Sequence, residues 1–412
     1  MLMQIEGSLA VAQAVALCKP HVISCYPITP QTHIVEELSA IVKAGKLGST
    51  VFLNVESEFA ALSALIGAAN AGARTYTATS SQGLLFMAEA LFNASGLGLP
   101  IVMTDGNRAI GAPINIWNDH SDTMCLRDCG WIQLHAQSNQ EAVDLHIQAF
   151  RIAEELSTPV LVCMDGFILT HAYERVDMPT QEQVDEFLPP FAPRQTLDPR
   201  RPLTIGALVG PEAYFEVKVL QHRTQLRALE VIPRISLAFE RHFGRAAGGF
   251  LTPYKMDDAE IAVIAMGSVN GTIQEAVDEL RDLGVKIGSV ALSTYRPFPF
   301  AEVASALQGA SRVVVVEKYL APGMGGCLAA DITQAIGRRD VKLFNLIVGL
   351  GGRAILQSSL AKAFIQAQRD ELKPLSFLDI HQETLDREAA RLADAGSPTH
   401  QAVETGVSSS CT

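Results

Sequence analysis

Two rhythms of apolar residues alternate along this chain. Short runs dense in Val, Ile and Thr appear at HVISCY (21–26), TYTAT (75–79), PIVMTD (100–105) and TPVLVCMD (158–165). Between them, apolar residues return every three or four positions, the period of a helix with one buried face. The 57–72 segment, SEFAALSALIGAANAG, is the clearest case. Ser57 suits an N-cap, Phe59, Leu62, Leu65, Ile66 and Ala69 share a face, and Gly72 ends the helix. Further helices are expected from Ser8 to Leu17, after Pro30, from Ser81 to Asn93, and over 141–156. Strands this apolar, separated by helices, predict a doubly wound α/β domain over residues 1–175, with a parallel sheet covered on both faces.

The pattern then breaks. Prolines 179, 189, 190, 193, 199 and 202 mark a crossing segment, taken as 176–256. A second, smaller α/β domain is expected over 257–372, with strands at IAVIAMG, KIGSVAL, RVVVVEK and KLFNLI and helices at about 272–283, 300–308 and 328–336. The tail 373–412 turns small and polar, and mobility is expected at its end.

Composition narrows the function. Apolar residues make up 48% of the 412 and charged residues 18%, which favours large buried cores over disorder. A net charge of −12 without a local Lys/Arg block disfavours a nucleic-acid partner. No apolar run reaches membrane-span length, and the first residues carry no basic-then-apolar leader, so a cytoplasmic protein is expected. The seven cysteines, Cys18, Cys25, Cys125, Cys129, Cys163, Cys327 and Cys411, are scattered, and most read as reduced core thiols. Cys125 and Cys129, four apart, could share a helix face, but two thiols do not make an iron–sulfur site.

Three places carry candidate chemistry. In ISCYPITPQTHIVEEL (23–38) a strand leads to two prolines and a helix. Pro30 suits the first helical position, which leaves Thr29 as N-cap at the carboxyl end of a strand, where open α/β sheets bind ligands. Capping and anion binding both fit. Glu58 falls in the first turn of the helix capped by Ser57, where a carboxylate also suits the helix dipole. Arg108 follows a strand expected to end at Thr104, either as a site cation or as a solvated side chain. Ser81 and Gly83 lie at another strand-to-helix turn, fitted for close cofactor packing or for helix capping. NDHSD, with Asn118, Asp119, His120 and Asp122, lacks a supporting ligand pattern for a metal and reads as hydrogen bonding that shapes a loop. APGMGG, with Gly323, Gly325 and Gly326, has the setting of a phosphate loop but is a weak signal. Trp117 suits either a pocket border or a core. His21, His33 and His171 show no partner in the sequence.

YPITPQT, SEFAAL followed by GAANAGART, TATSSQGLLFM and NRAIGAPINIWNDHSDTMCLRDCGW, in this order, resemble the alpha subunit of the 2-oxoacid:acceptor oxidoreductases. This is the thiamine-diphosphate family typified by pyruvate:ferredoxin oxidoreductase. STYRPFPF and VVVVEKYLAPGMGG are similar to its transketolase C-terminal-like domain, so the resemblance spans some 320 residues. It implies that the first domain binds the aminopyrimidine half of thiamine diphosphate. Glu58 matches the glutamate that hydrogen-bonds the pyrimidine nitrogen, where a carboxyl can relay the proton needed for the imino tautomer. Thr29 and Arg108 match the residues that meet the substrate carboxylate, for which a planar guanidinium is well shaped. The resemblance assigns no metal to this chain.

No GDG occurs; TDGNR and MDGF are the nearest stretches. The family's magnesium and pyrophosphate motif is therefore expected on a partner beta subunit, with the active site at the interface. Iron–sulfur clusters are expected only on partners, including gamma and ferredoxin-like delta subunits, with coenzyme A as the acyl acceptor and ferredoxin or NAD as electron sink. NRAIGAPINIW resembles the pyruvate-type branch more than the 2-oxoglutarate type, with the phenylglyoxylate enzymes as close relatives. A transketolase-like or E1-like subunit is the alternative, against which YPITP and NRAIGAP count. A scaffold without cofactor is another, against which the joint presence of Glu58, Thr29 and Arg108 counts.

Overall fold

In a computed structural model that describes residues 1–395, the first half of the chain alternates as its apolar rhythm requires. It runs β1 (Leu2–Glu6), α1 (Gly7–Leu17), β2 (Val22–Cys25), α2 (Thr32–Lys43), β3 (Val51–Asn54), α3 (Glu58–Asn70) and β4 (Thr75–Thr79). It continues with α4 (Ser81–Phe86), α5 (Ala88–Leu97), β5 (Ile101–Asn107), α6 (Ser121–Cys125), β6 (Ile132–His135), α7 (Asn139–Leu156) and β7 (Val160–Asp165). Next come β8 (Tyr173–Asp177), α8 (Gln181–Phe187), α9 (Tyr214–Phe243), β9 (Leu251–Tyr254), β10 (Ile261–Ala265), α10 (Val269–Asp282), β11 (Ile287–Leu292) and β12 (Thr294–Arg296). The last elements are α11 (Phe300–Ala306), β13 (Arg312–Glu317), α12 (Cys327–Ile336), β14 (Lys342–Ile347), α13 (Gln357–Gln368), β15 (Leu375–Phe377) and α14 (Gln382–Ala395).

Two large sheets result. The first has the order β12-β6-β7-β5-β4-β2-β3 and the second β15-β14-β13-β10-β11-β9. Pairing is parallel throughout except for β12 on β6 and β9 on β11, each antiparallel at its sheet's edge. Both sheets carry apolar clusters on both faces, as a doubly wound architecture demands. In the first sheet β3 lies to one side of β2 and β4 to the other, so the order reverses between β2 and β4. Ligands of open α/β sheets bind outside the strand ends at such a point. The chain also crosses back: β12, reached from the second sheet, pairs with the first.

Several local expectations are revised. α2 begins at Thr32 and Gln31 precedes it, so Thr29 is not an N-cap. The Gln31 backbone N–H instead closes a turn onto the Ile28 carbonyl (2.9 Å), and Gln31 Nε2 donates to the Tyr26 carbonyl (3.1 Å). β5 runs to Asn107 rather than to Thr104, because Gly106 and Asn107 stay in register with Met164 and Asp165 of β7. The helix expected over Ser81–Asn93 is two helices, broken at Met87. Residues 176–256 contain the 30-residue α9, whose Ala228, Val231, Ile232, Ile235 and Phe239 form one buried stripe toward α7. Cys125 ends α6 and is exposed, whereas Cys129 lies beyond that helix and is buried. The mobility expected at the tail's end, and Cys411, fall outside the described residues.

Candidate functional site

Glu58 opens α3, as its sequence position predicts. Ser57 is the N-cap, its hydroxyl accepting from the Ala60 N–H at 3.1 Å. That leaves the Glu58 carboxylate free of capping duty. It is 7% exposed, and no hydrogen-bond partner meets it among the described residues. Gly83 of α4 lies against it: a Cβ there would come within 2.6 Å of both Glu58 Oε1 and Thr79 Oγ1. The Thr79 hydroxyl is buried and likewise without a partner. A buried carboxylate and hydroxyl with open hydrogen-bonding capacity, beside a glycine whose missing side chain makes room, suit a flat ring bearing polar nitrogens. The aminopyrimidine of thiamine diphosphate is such a ring, and these residues fit it.

Ser81 stands at the expected strand-to-helix turn but does not cap the helix. Its φ is +52°, its hydroxyl donates to the Ala109 carbonyl (2.6 Å), and its N–H donates to Asp122 Oδ2 (3.1 Å). The N-cap of α4 is Ser80, so Ser81 shapes the turn and does not cap the helix.

Thr29 and Arg108 come together. Arg108 Nη1 donates to the Thr29 carbonyl at 2.9 Å and Nε to the Asn115 carbonyl at 3.0 Å, leaving Nη2 without a partner among the described residues. The Thr29 side chain is exposed, and its hydroxyl has no partner there either. A guanidinium held at two points, with a free fork arm beside a free hydroxyl, is equipped to receive a carboxylate.

Two buried carboxylates hold this frame: Asp122, which the sequence placed in a hydrogen-bonding loop, and Asp165, which it did not single out. Asp122 has no exposure and accepts from the backbone N–H groups of Ser81, Arg108 (2.8 Å) and Thr123 (2.8 Å), and from Asn107 Nδ2 (3.0 Å). It thereby joins the Gly83 turn to the Arg108 loop. Burial pushes its carboxyl up and these donors pull it back, while neighbouring Asp105 is driven well above the carboxylate range by burial and by the Asp122 charge. Asp165, at the end of β7, meets Lys318 from the end of β13 in a buried ion pair. It also accepts from His120 Nε2 (2.8 Å) and the Ser268 N–H (2.8 Å), while Lys318 Nζ donates to Asn118 Oδ1 (2.6 Å). Burial opposes ionisation of Asp165, but the Lys318 and His120 charges overcome it and hold its pKa well below the usual range. Burial and the His120 charge push His135 down to about 3. The NDHSD motif was legible as a hydrogen-bonding loop; its partner at position 318 was not.

The Gly-rich loop and the three histidines resolve as structure. The Gly-rich loop before α12 faces Glu317, whose carboxylate accepts from the Leu328 and Ala329 N–H groups (2.9 and 2.8 Å). The helix start is thus occupied by the chain's own anion rather than held open for a phosphate. Burial, only partly offset by these donors, pushes Glu317 up to about 7. Trp117 is half exposed and packs at a tilt against Phe167 (centroids 4.6 Å apart). The histidines do have partners: His33 meets Glu6 at 2.6 Å and packs at a tilt against His171, and His21 Nδ1 accepts the Arg74 N–H. No helix among the described residues is long and apolar enough to cross a membrane.

Comparison with solved structures gives the fold. The fold matches a 2-oxoglutarate:ferredoxin oxidoreductase from Magnetococcus marinus with a TM-score of 0.70 at 19% identity, covering 89% of this chain and 65% of that one. A split-gene transketolase matches with a TM-score of 0.53 at 13% identity, over 89% of this chain and 99% of that one. Both define the fold, the two-unit α/β architecture of these enzymes. Sequence gives the family. Residues 13–236 match the thiamine-diphosphate-binding model of pyruvate flavodoxin/ferredoxin oxidoreductases, and residues 259–360 match core domain II of pyruvate:ferredoxin oxidoreductase. The chain is 45% identical over 390 residues to the pyruvate synthase subunit PorA of Methanosarcina barkeri, covering 92% of this chain and 97% of that one. It is 38% identical over 388 residues to the ketoisovalerate oxidoreductase subunit VorA of Pyrococcus abyssi, covering 93% and 95%. The chain therefore belongs to the pyruvate:ferredoxin oxidoreductase family, as an alpha-type subunit of a thiamine-diphosphate-dependent 2-oxoacid oxidoreductase.

Proposed function

We propose that this chain supplies the pyrimidine-binding and carboxylate-binding half of an active site that oxidatively decarboxylates a pyruvate-type 2-oxoacid. The observation that carries the reading is Glu58: buried at a helix start, unpaired, and facing Gly83. Its carboxyl would hold a proton against the aminopyrimidine nitrogen, with the Gly83 turn leaving space for the ring. Ser81 contributes by shaping that turn. Arg108 and Thr29 would bind the 2-oxoacid carboxylate until it departs as carbon dioxide, so their grip should be firm without being excessive. When bound, thiamine diphosphate supplies a carbon that adds to the keto group and accepts the electrons released on decarboxylation.

A beta partner would hold the magnesium and pyrophosphate, since this sequence has no GDG. Exposed apolar side chains favour such a partner: Phe59 and Phe86 (ring centroids 6.2 Å apart), Ile114 and Trp117 belong to the site elements and stand open to solvent. Iron–sulfur clusters on that and on gamma and delta partners would carry electrons to ferredoxin or, through a further subunit, to NAD. Coenzyme A would take the acyl group, as the bound molecules of the Magnetococcus marinus neighbour suggest. Pyruvate is favoured by the 45% identity to a pyruvate synthase subunit, with branched or aromatic 2-oxoacids such as phenylglyoxylate as further substrates. The test is Glu58→Gln in the assembled enzyme. Gln can hydrogen-bond but cannot relay the proton, so 2-oxoacid oxidation should be lost while assembly persists; near-normal turnover would sink the reading.

A further inference from the structure

Asn115 stands in the loop that carries Arg108, and it is tied on three sides. Its carbonyl accepts from Arg108 Nε at 3.0 Å, its side-chain oxygen accepts from the Trp117 N–H at 2.6 Å, and its Nδ2 donates to the Gly351 carbonyl at 3.1 Å. Gly351 lies 236 positions away, in the turn that follows β14 of the second sheet. The same turn returns a bond, from the Gly351 N–H to Asp119 Oδ2 at 3.1 Å.

The fit is close. Gly349, Gly351 and Gly352 have φ of +64°, +60° and +81°, a region that side chains disfavour. A Cβ on Gly351 would lie 2.6 Å from Asn115 Nδ2, and one on Gly352 would overlap the Trp117 Cβ. The turn is therefore glycine-built where it touches the loop, and Asn115 connects it to the guanidinium.

Of the groups that fix Arg108, Asp122 holds its backbone and Thr29 holds Nη1. Neither constrains Nε. We infer that Asn115 is a positioning residue, through which the Gly349–Gly352 turn of the second unit sets the orientation of Arg108 toward the 2-oxoacid carboxylate. This rests on the reading of Arg108 as a carboxylate ligand. With Asn115 truncated, the carbonyl that meets Nε is freed from both side-chain anchors and the fork loses its fixed aim.

The test compares steady-state oxidation of pyruvate, with a low-potential dye as acceptor, by assembled enzymes carrying Asn115→Ala, Gly351→Ala, Arg108→Ala or the Asn115→Ala/Arg108→Ala pair. Asn115→Ala and Gly351→Ala should each raise KM about fivefold, the scale of one neutral hydrogen bond, with a smaller change in kcat. Arg108→Ala should raise KM further, and the pair should be no worse than Arg108→Ala alone. A wild-type KM for Arg108→Ala defeats the reading of Arg108 itself. An impaired Arg108→Ala alongside a wild-type KM for Asn115→Ala and Gly351→Ala overturns the positioning role. So does a loss confined to kcat, or a pair whose effects multiply in full. Gly351 is remote in sequence and is not itself proposed to meet substrate, so either single variant suffices if the other does not assemble.

Discussion

Lys318→Met removes the ammonium that faces Asp165 while keeping most of the aliphatic stem. Both side chains are almost fully buried, 2% and 1% exposed, so the carboxylate cannot recover its lost partner from water. Deleting one member of a buried ion pair costs about 3–5 kcal/mol. His120 Nε2 and the Ser268 N–H, both at 2.8 Å, and Asn118 Nδ2 at 3.3 Å still reach Asp165, which places the expected loss at the lower end, about 3 kcal/mol. With a urea dependence of about 3 kcal/mol per molar, the midpoint should fall by about 1 M. Fluorescence of Trp117 and the buried Trp131 reports the transition. The loss should also depend on pH. In the wild type Asp165 titrates below its unfolded value of about 3.9, so its contribution is present above that pH and fades below it. In the variant, burial without the ammonium raises the same group, a cost that grows as pH rises above about 4. Both effects widen the gap between pH 4 and pH 7. A gap below about 1 kcal/mol at pH 7 would refute the reasoning, as would one that stays constant over this range.

Three further outcomes are expected. Gly83→Ala would push a methyl against Glu58 and Thr79, and should weaken thiamine-diphosphate binding by the assembled enzyme at least about tenfold, read by titration calorimetry; unchanged affinity would remove Gly83 from the ring's site. If the pyrophosphate and magnesium half lies on a partner as proposed, the isolated chain should not bind thiamine diphosphate tightly, and micromolar binding by calorimetry would show otherwise. Glu317, raised to about 7 by burial, stabilises the fold below its unfolded pKa, an advantage lost as pH rises toward 7. Glu317→Gln should therefore gain stability relative to wild type between pH 5 and 8, measured as the difference in Tm, and a flat difference would contradict the assignment.

What the sequence made legible was whatever depends on local pattern. The apolar runs became β2, β4, β5 and β7, and the Ser57–Glu58 start of α3 was read correctly because capping is a short-range signal. Misreadings came where distant packing overrode local preference. TDGN looks like a turn by composition, yet it extends β5 because β7 pairs with it and Gly106 lets the Ser80 and Gln31 side chains approach closely. The proline at position 30 is a good first helical residue by propensity, but Pro30 is packed against Gly166 and the helix starts two residues later. The stripe in α9 has the spacing 228, 231, 232, 235 and 239, which was available in the sequence and was obscured by the proline-rich approach to it. Lys318 and Gly351 could not have been found this way, since no local signal reports a contact across the two units.

The buried carboxylates around the site show why Glu58 differs from its neighbours. Asp122 is saturated by four donors and Asp165 by an ammonium and further N–H groups, so each has its compensation within the chain. Such groups hold elements together and have no capacity left for a ligand. Glu58 is buried but for 7% of its surface and makes no side-chain hydrogen bond among the described residues, and the Thr79 hydroxyl beside Gly83 is buried without a partner. The position of Glu58 beside Gly83, where a side chain would close the space, supports the proposal that an aminopyrimidine ring lies there. Asp122 and Asp165 are thus tied within the chain, whereas the Glu58 carboxylate keeps free hydrogen-bonding capacity, which the proposed role requires of it.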